Sequence, residues 1–357
     1  MLLREGFYPG LCKNAGMRFL AVLFALALLG GAGAQAATSG ADDTLIAAAK
    51  KEGAVVLYGS MTLPQMTALA DRFHAQYGIA VKTLRMESQE LPARMITEER
   101  SGRYEADVVD EPGFQTDQLK RQGMLVQYRP PENETLIKGT VDPEGYWTSI
   151  FLNTEAIAYN PKKLQEYGLK IPAAWSDFAK PEWRGHFGIF VGSYEWYAAM
   201  KKKYGEDGGN RLMKALAANQ PRMLNTHVIG ITMTVTGDLA GVPNIYAYQA
   251  EQERRKGGAI AIVNPDPTVV ELHCVGIVKN APHPNAGRLL ERWMLSKETQ
   301  NWVASLNGLG RVAARKDAEN DPMIWNPRVK YLISDPATSG NYAQDATAFN
   351  AIFGIPG

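Results

Sequence analysis

After about residue 40, short apolar runs alternate with amphipathic stretches along the whole chain, and the spacing within each stretch predicts an α/β protein. Residues 44–52 have helical spacing and end at Gly53. Ala54 to Tyr58 is a continuous apolar run, the signature of a strand buried on both faces. Thr62 then caps a helix that carries Pro64 in its first turn, with Met66, Leu69, Ala70 and Phe73 on one face. Ile79 to Leu84 is a second strand. Ser88 caps the next helix, whose buried face is Leu91, Met95 and Ile96, and Ala106 to Val109 is a third strand. This succession of strand, helix and strand implies a parallel sheet covered by helices.

A loop at Pro130-Pro131-Glu132-Asn133 leads into a long extended stretch, Trp147 to Tyr159, which Asn160-Pro161 stops. A second unit follows. It has a strand at 187–191, a helix after Ser193, a helix over 209–218, strands near 222–224 and 239–245, and extended chain at 259–263. Asn264-Pro265-Asp266-Pro267 turns the chain, Leu272 to Val278 is another buried strand, and helices cover 285–295 and 297–307. Two α/β units joined by extended segments suggest two lobes and a cleft. Ligands in such sheets bind beyond the carboxyl ends of the strands, at loop-to-helix junctions.

The start of the chain changes the picture. Arg18, the apolar run Phe19 to Leu29 and the small-residue stretch ending in Ala34-Gln35-Ala36 have the layout of a secretory signal over residues 1–36. Cleavage is expected before Ala37. Met17 is read as the true start, unless the polar n-region is unusually long. The apolar run is short of the roughly twenty residues of a membrane span. About 320 residues remain, enough for one large or two medium domains. With 38 Lys and Arg against 37 Asp and Glu, nothing points to nucleic acid or an anionic membrane. Cys12 precedes the apolar run, so it is not a lipid-anchored cysteine. Cys274, alone in the mature chain, reads as a buried thiol.

Several segments resemble the periplasmic solute-binding proteins of ABC importers, and the ferric-ion-binding subgroup among them. They are Glu52 to Ser60, Tyr104 to Val109, Ala158 to Pro161 with Trp175 to Phe178 and Pro181 to Gly185, Asp238 to Tyr246, and Lys279 to Ala286 with Leu295 to Gln300. Their order spans nearly the whole mature chain. The resemblance implies an α/β, two-lobe type II periplasmic-binding fold, each lobe a mixed, mostly parallel sheet flanked by helices. One lobe takes 41–140 plus 264–310, the other 145–262, with 311–357 packing across both. It also implies a periplasmic location, a small-molecule ligand, permease subunits as partners, no cofactor, a monomer, and no stable membrane insertion once the signal is removed.

Ferric-binding relatives hold iron with two adjacent tyrosines, commonly joined by a histidine and a glutamate, oxygen-rich donors that suit a hard cation. Tyr246 matches the first tyrosine, but Ala247 stands in the second place. Tyr248 comes one residue late, so that on a strand it would face the other way. Glu111 lies out of step with the carboxylate position, and the loop Gly59 to Thr62 holds no histidine. These departures point away from an iron site made of Tyr246, Tyr248 and Glu111, and toward a small anionic organic solute. Ser193, Asn225 and Asn244 match family positions near a bound anion. Independently of the likeness, Ser60, Thr62, Ser88, Gln89 and Ser193 stand at strand-to-helix junctions, where unpaired N–H groups attract anions. Tyr58, Tyr194, Tyr246 and Trp196 are candidate aromatic walls, with Trp196 ranked last because a Trp in a first helical turn often packs inward. Arg85 can pair with a carboxylate or phosphonate, and His227 stands at a helix start. The rival class is a secreted hydrolase, but G-x-S-x-G, H-E-x-x-H and C-x-x-C are all absent.

Overall fold

The computed structural model describes residues 42–356, so the secretory segment, its cleavage site and the choice of start lie outside the described residues. Among the described residues eleven strands and twelve α-helices alternate as the apolar pattern requires, the first helix covering residues 42–52. Strand β1 (Ala54–Gly59) pairs in parallel with β2 (Ala80–Arg85) and β3 (Val108–Pro112). Helix α2 (Leu63–Tyr77) crosses between β1 and β2. It buries Met66, Leu69 and Phe73, and left-handed Gly78 ends it by donating its N–H to the His74 carbonyl. Helices α3 (Leu91–Arg100) and α4 (Gly113–Arg121) flank this part of the sheet.

Two long strands carry the chain from one half of the molecule to the other. β4 (Thr148–Tyr159) and β9 (Thr268–Ile277) lie side by side, antiparallel and buried almost throughout. The carboxyl end of β9 pairs with β3, whereas the carboxyl end of β4 pairs with β7 (Gly241–Tyr246) and β8 (Ala261–Val263). β10 (Val312–Ala313) and β11 (Tyr331–Ile333) complete a nine-stranded mixed sheet. A separate parallel pair, β5 (Gly188–Phe190) with β6 (Arg222–Leu224), supports the second half. This is the two-lobe α/β layout, with β4 and β9 as the shared strands.

Around them pack α5 (Pro161–Tyr167), α6 (Tyr194–Tyr204), α7 (Glu206–Ala218), α8 (His227–Thr236), α9 (Ala247–Arg255), α10 (Pro284–Leu295), α11 (Lys297–Ala304) and α12 (Tyr342–Phe353). Asn160 does more than stop β4. Its side chain accepts from the N–H groups of Lys162 and Lys163 and so starts α5. The first lobe is cored by Tyr58, Leu91, Met95 and Val109, the second by Trp175, Trp183, Trp196 and Phe187. Among the described residues no helix is long and apolar enough to cross a membrane, and Cys274 is a buried free thiol.

One buried carboxyl makes stability depend on pH. Glu291 on α10 is 2 % exposed, and burial pushes its pKa up to about 8. Between the ordinary glutamate value and 8 the folded state therefore holds a proton that the unfolded chain has lost. This group's contribution is highest below about pH 4.5 and declines as pH rises to 8, by at most about 1.4 kcal/mol per pH unit. Glu291→Gln is expected to melt higher than the parent by a margin that grows from pH 5 to pH 8. A margin independent of pH in a calorimetric series would show that Glu291 ionises normally.

Candidate functional site: a cleft over the crossing strands

A cleft of about 540 Å³ lies over the face of β4 and β9. Its floor comes from side chains at alternate positions, Asn153 and Glu155 on β4 and Glu271 and His273 on β9, with Asn153 directly opposite Glu271 in the ladder. His273 stacks on Phe151 with centroids 4.3 Å apart, and its Nε2 lies 3.0 Å from Asp110 Oδ1. Arg311 closes one end. Its guanidinium lies 3.8 Å from the centre of the Tyr248 ring and donates to Asn153 Oδ1 and Gln65 Oε1.

The walls are loops that end in helices. Met61 and Thr62 lead into α2, Pro112 into α4, Ser193 into α6, Thr226 into α8 and Tyr246 into α9, and all of them line the cleft. The first N–H groups of these helices have no carbonyl partner within the helix, and the dipole end there is positive. Close packing makes the arrangement possible at β1. A Cβ on Gly59 would lie 2.9 Å from the Asp110 carbonyl oxygen, and that approach lets the Ser60 N–H donate to Asp110 at 3.1 Å.

The second-lobe wall is aromatic and acidic. His227 stacks on Tyr246 at 4.1 Å, and desolvation there pushes its pKa down to about 3, so it is neutral. The Tyr246 hydroxyl donates to Glu271 Oε2 at 2.7 Å, and burial plus that carboxylate hold the phenol well above its usual pKa. Glu155 and Glu195 are both buried. Burial first, and the Glu271 charge second, raise both carboxyls well above the ordinary glutamate range. Among the described residues, no group of three or more His, Cys, Asp or Glu is placed to hold a metal ion.

The two-lobe α/β fold is shared by known proteins. A family model described as bacterial extracellular solute-binding protein matches residues 106–337, well over half of the chain. The chain belongs to that family. An uncharacterised protein of Haemophilus influenzae is 24% identical over 302 residues, covering 80% of this chain and 85% of its own length. Among solved structures, iron-bound HitA from Pseudomonas aeruginosa aligns with a TM-score of 0.71 at 21% identity, covering 84% of this chain and 99% of that one. AfuA from Actinobacillus pleuropneumoniae, with fructose-6-phosphate bound, aligns with a TM-score of 0.73 at 22% identity over 84% and 97%. Both likenesses establish the fold.

In this solute-binding protein, Ser60, Thr62, Arg85, Ser88, Gln89, Ser193, Tyr194, Asn225 and Tyr246 all line the cleft. Three of the candidates, Tyr58, Asn244 and Trp196, do not. Tyr58 points the other way from β1 and packs with Leu91 and Met95. Its hydroxyl lies 3.3 Å from a carboxylate oxygen of both Glu98 and Glu105, and Arg94 lies over its ring. Asn244 is fully buried behind the wall and donates to Ser193 Oγ, so it positions the α6 loop rather than facing the cleft. Trp196 is a core residue, edge-on to Trp175 at 6.3 Å. Local roles differ too. Ser88 does not cap α3, because Ser88 to Glu90 form a turn and Glu90 is the cap residue. Thr62 and Ser193 occupy cap positions without a side-chain cap bond, and Arg85 pairs with Glu87.

The tyrosine geometry overturns one expectation outright. The strand ends at Tyr246 and Ala247 begins a helix, so Tyr248 does not alternate to the far face. It lines the same cleft, with its ring 6.2 Å from that of Tyr246. Glu111, by contrast, is buried outside the cleft lining, where Ser60 and Ser88 lower a pKa that burial raises well above normal.

Sequence reasoning missed Glu155, Glu195, Glu271, His273 and Arg311. A signal was present for the strand residues: Asn153/Glu155 and Glu271/His273 are i, i+2 polar pairs inside otherwise apolar runs. Buried strands with one polar stripe are lining something.

Proposed function

We propose that this chain is the extracytoplasmic solute-binding subunit of an ABC importer. In this reading its apolar N-terminal segment exports it to the periplasm, where it captures a small anionic organic solute between its lobes and delivers it to membrane permease subunits. The observation that carries the reading is the opening of five helix N-termini onto one cleft, where N–H groups and hydroxyls supply positive potential without a metal. Arg85 and Arg311 add formal charge on the same cleft. The fructose-6-phosphate held by the AfuA relative is a solute of this kind. Membership of a solute-binding family supports a carrier over a secreted hydrolase.

Mass spectrometry of whatever co-purifies with the protein, followed by a melting screen of anionic solutes, tests this reading. A true ligand at a hundred times its dissociation constant adds about 2.7 kcal/mol of stability. A screen of carboxylates, phosphonates, sulfonates and phosphates with no shift would sink the reading.

The presence of Tyr246 and Tyr248 on the same cleft favours a second reading, capture of ferric iron. Its mark is a visible phenolate-to-iron band in iron-loaded protein that disappears in Tyr246→Phe.

Capture is also expected to close the lobes. The moving bodies are 41–140 with 264–310 against 145–262, hinged near Ser149 and Val263, with 311–357 bridging them. The contacts of Tyr342 support the bridge, since its ring packs edge-on to Phe114 at 5.9 Å and to Tyr194 at 5.5 Å. A solute touching both lobes binds the closed state better, and only that difference shifts the population. Small-angle scattering should show a smaller radius of gyration with ligand; no change at saturation would count against closure.

A further inference from the structure

The cleft holds a second pole that an anion does not use. Glu155 and Glu195 line it, are 1% and 9% exposed, and each has an Oε2 with no hydrogen-bond partner. Glu271, their neighbour, receives the Tyr246 hydroxyl and nothing cationic. Among the described residues no lysine or arginine forms an ion pair with any of the three. Several other buried acids in this molecule have a cation beside them: Asp142 has Lys120, Glu251 has Arg254 and Arg255, and Asp345 has Lys201; Glu111 and Glu291 lack one too, but neither lines the cleft. His227, another lining residue, has its Nδ1 without a partner. Buried oxygens left unmatched are costly, and a protein keeps them where something else supplies the donors.

We propose that the captured solute is bipolar, and that its second end is an ammonium group seated on Glu155, Glu195 and Glu271. This rests on the reading of the cleft as an anion-capturing site and narrows it to amino-bearing anions. An ammonium offers three N–H donors and one positive charge, and it is a pure donor. The pocket offers three carboxylates, of which two have an unmatched oxygen. Hydroxyl groups fit less well, since each brings an acceptor as well as a donor and no positive charge to draw the buried acids into their ionised form. The anionic end then takes the remaining donors of the lining, Ser60, Ser88, Gln89, Ser193 and Arg85.

Calorimetric titration of the purified protein with matched two-carbon probes tests the proposal. Each anionic head (phosphonate, phosphate, sulfonate, carboxylate) is presented on an aminoethyl, a hydroxyethyl and an ethyl chain, with ethanolamine and ethylamine as amines lacking an anion. For at least one head the aminoethyl member should bind ten-fold or more tighter than its hydroxyethyl partner. Glu155→Gln and Glu195→Gln should each shrink that ratio toward one while leaving the ethyl member unaffected. Either variant alone suffices if the other fails to fold. An equal or tighter hydroxyethyl member, or an undiminished ratio in both variants, overturns the ammonium pole and leaves the anion reading standing. Binding of the plain amines with no anionic head preferred keeps the pole and removes the anion reading. Failure of every amine overturns the pole.

Discussion

Ser193→Asp is expected to weaken capture of the anionic solute by at least about a hundred-fold without harming the fold. Ser193 lines the cleft at the start of α6 and accepts the Asn244 side-chain N–H. A carboxylate placed there occupies the free N–H groups of the first helical turn and repels the incoming anion. Like charges brought together at a recognition site cost several kcal/mol, and each 1.4 kcal/mol is a factor of ten in affinity. Aspartate is also a good residue at a helix start, so melting should stay level or rise. That divergence is the useful feature, because a generally damaged protein would lose both. Titration of the co-purifying solute against parent, Ser193→Ala and Ser193→Asp gives the ordering, with alanine between the other two. Equal affinity in all three would mean that the anion does not sit at α6.

Trp196→Ala should show the opposite pattern, a large loss of stability. Trp196 is fully buried beside Trp175 in the core of the second lobe, two residues from cleft-lining Tyr194 on the same helix. Deleting a buried Trp leaves a cavity and costs about 3–5 kcal/mol. For a chain of this size that is a drop of roughly five to seven degrees in melting temperature. Trp196→Phe should recover most of it, as its indole nitrogen has no hydrogen-bond partner to lose. Denaturant unfolding monitored by calorimetry and circular dichroism checks both variants. Unchanged stability with lost binding would place Trp196 on the cleft wall instead.

The errors made in reading the sequence share a cause. Local chemistry marked the junctions Ser60 to Thr62 and Ser193 to Tyr194, because turn and cap residues act over three or four positions. It misplaced Tyr58 because the direction of a side chain on β1 depends on which face α3 covers, and that is a long-range fact. It misread Tyr248 because it extended β7 by two residues, whereas the chain turns into α9 after Tyr246. Asn244 was found for the right neighbourhood and the wrong task, since support of Ser193 cannot be told from contact with a ligand by spacing alone.

The apolar pattern by itself determined the alternation of strands and helices, the second α/β unit and the long extended segments that become β4 and the strands beside it. These follow from periods of 2.0 and 3.6, which each stretch carries independently of the rest. Only the tertiary structure decided the site. Glu155, Glu195, Glu271 and Tyr246 come from three strands and a helix, and only the pairing of β4 with β9 and β7, and the packing of α6, brings them to one cleft. The burial and the unmatched oxygens of Glu155 and Glu195 are properties of that convergence. No window of sequence contains it, because the dielectric around a carboxylate is set by residues a hundred positions away.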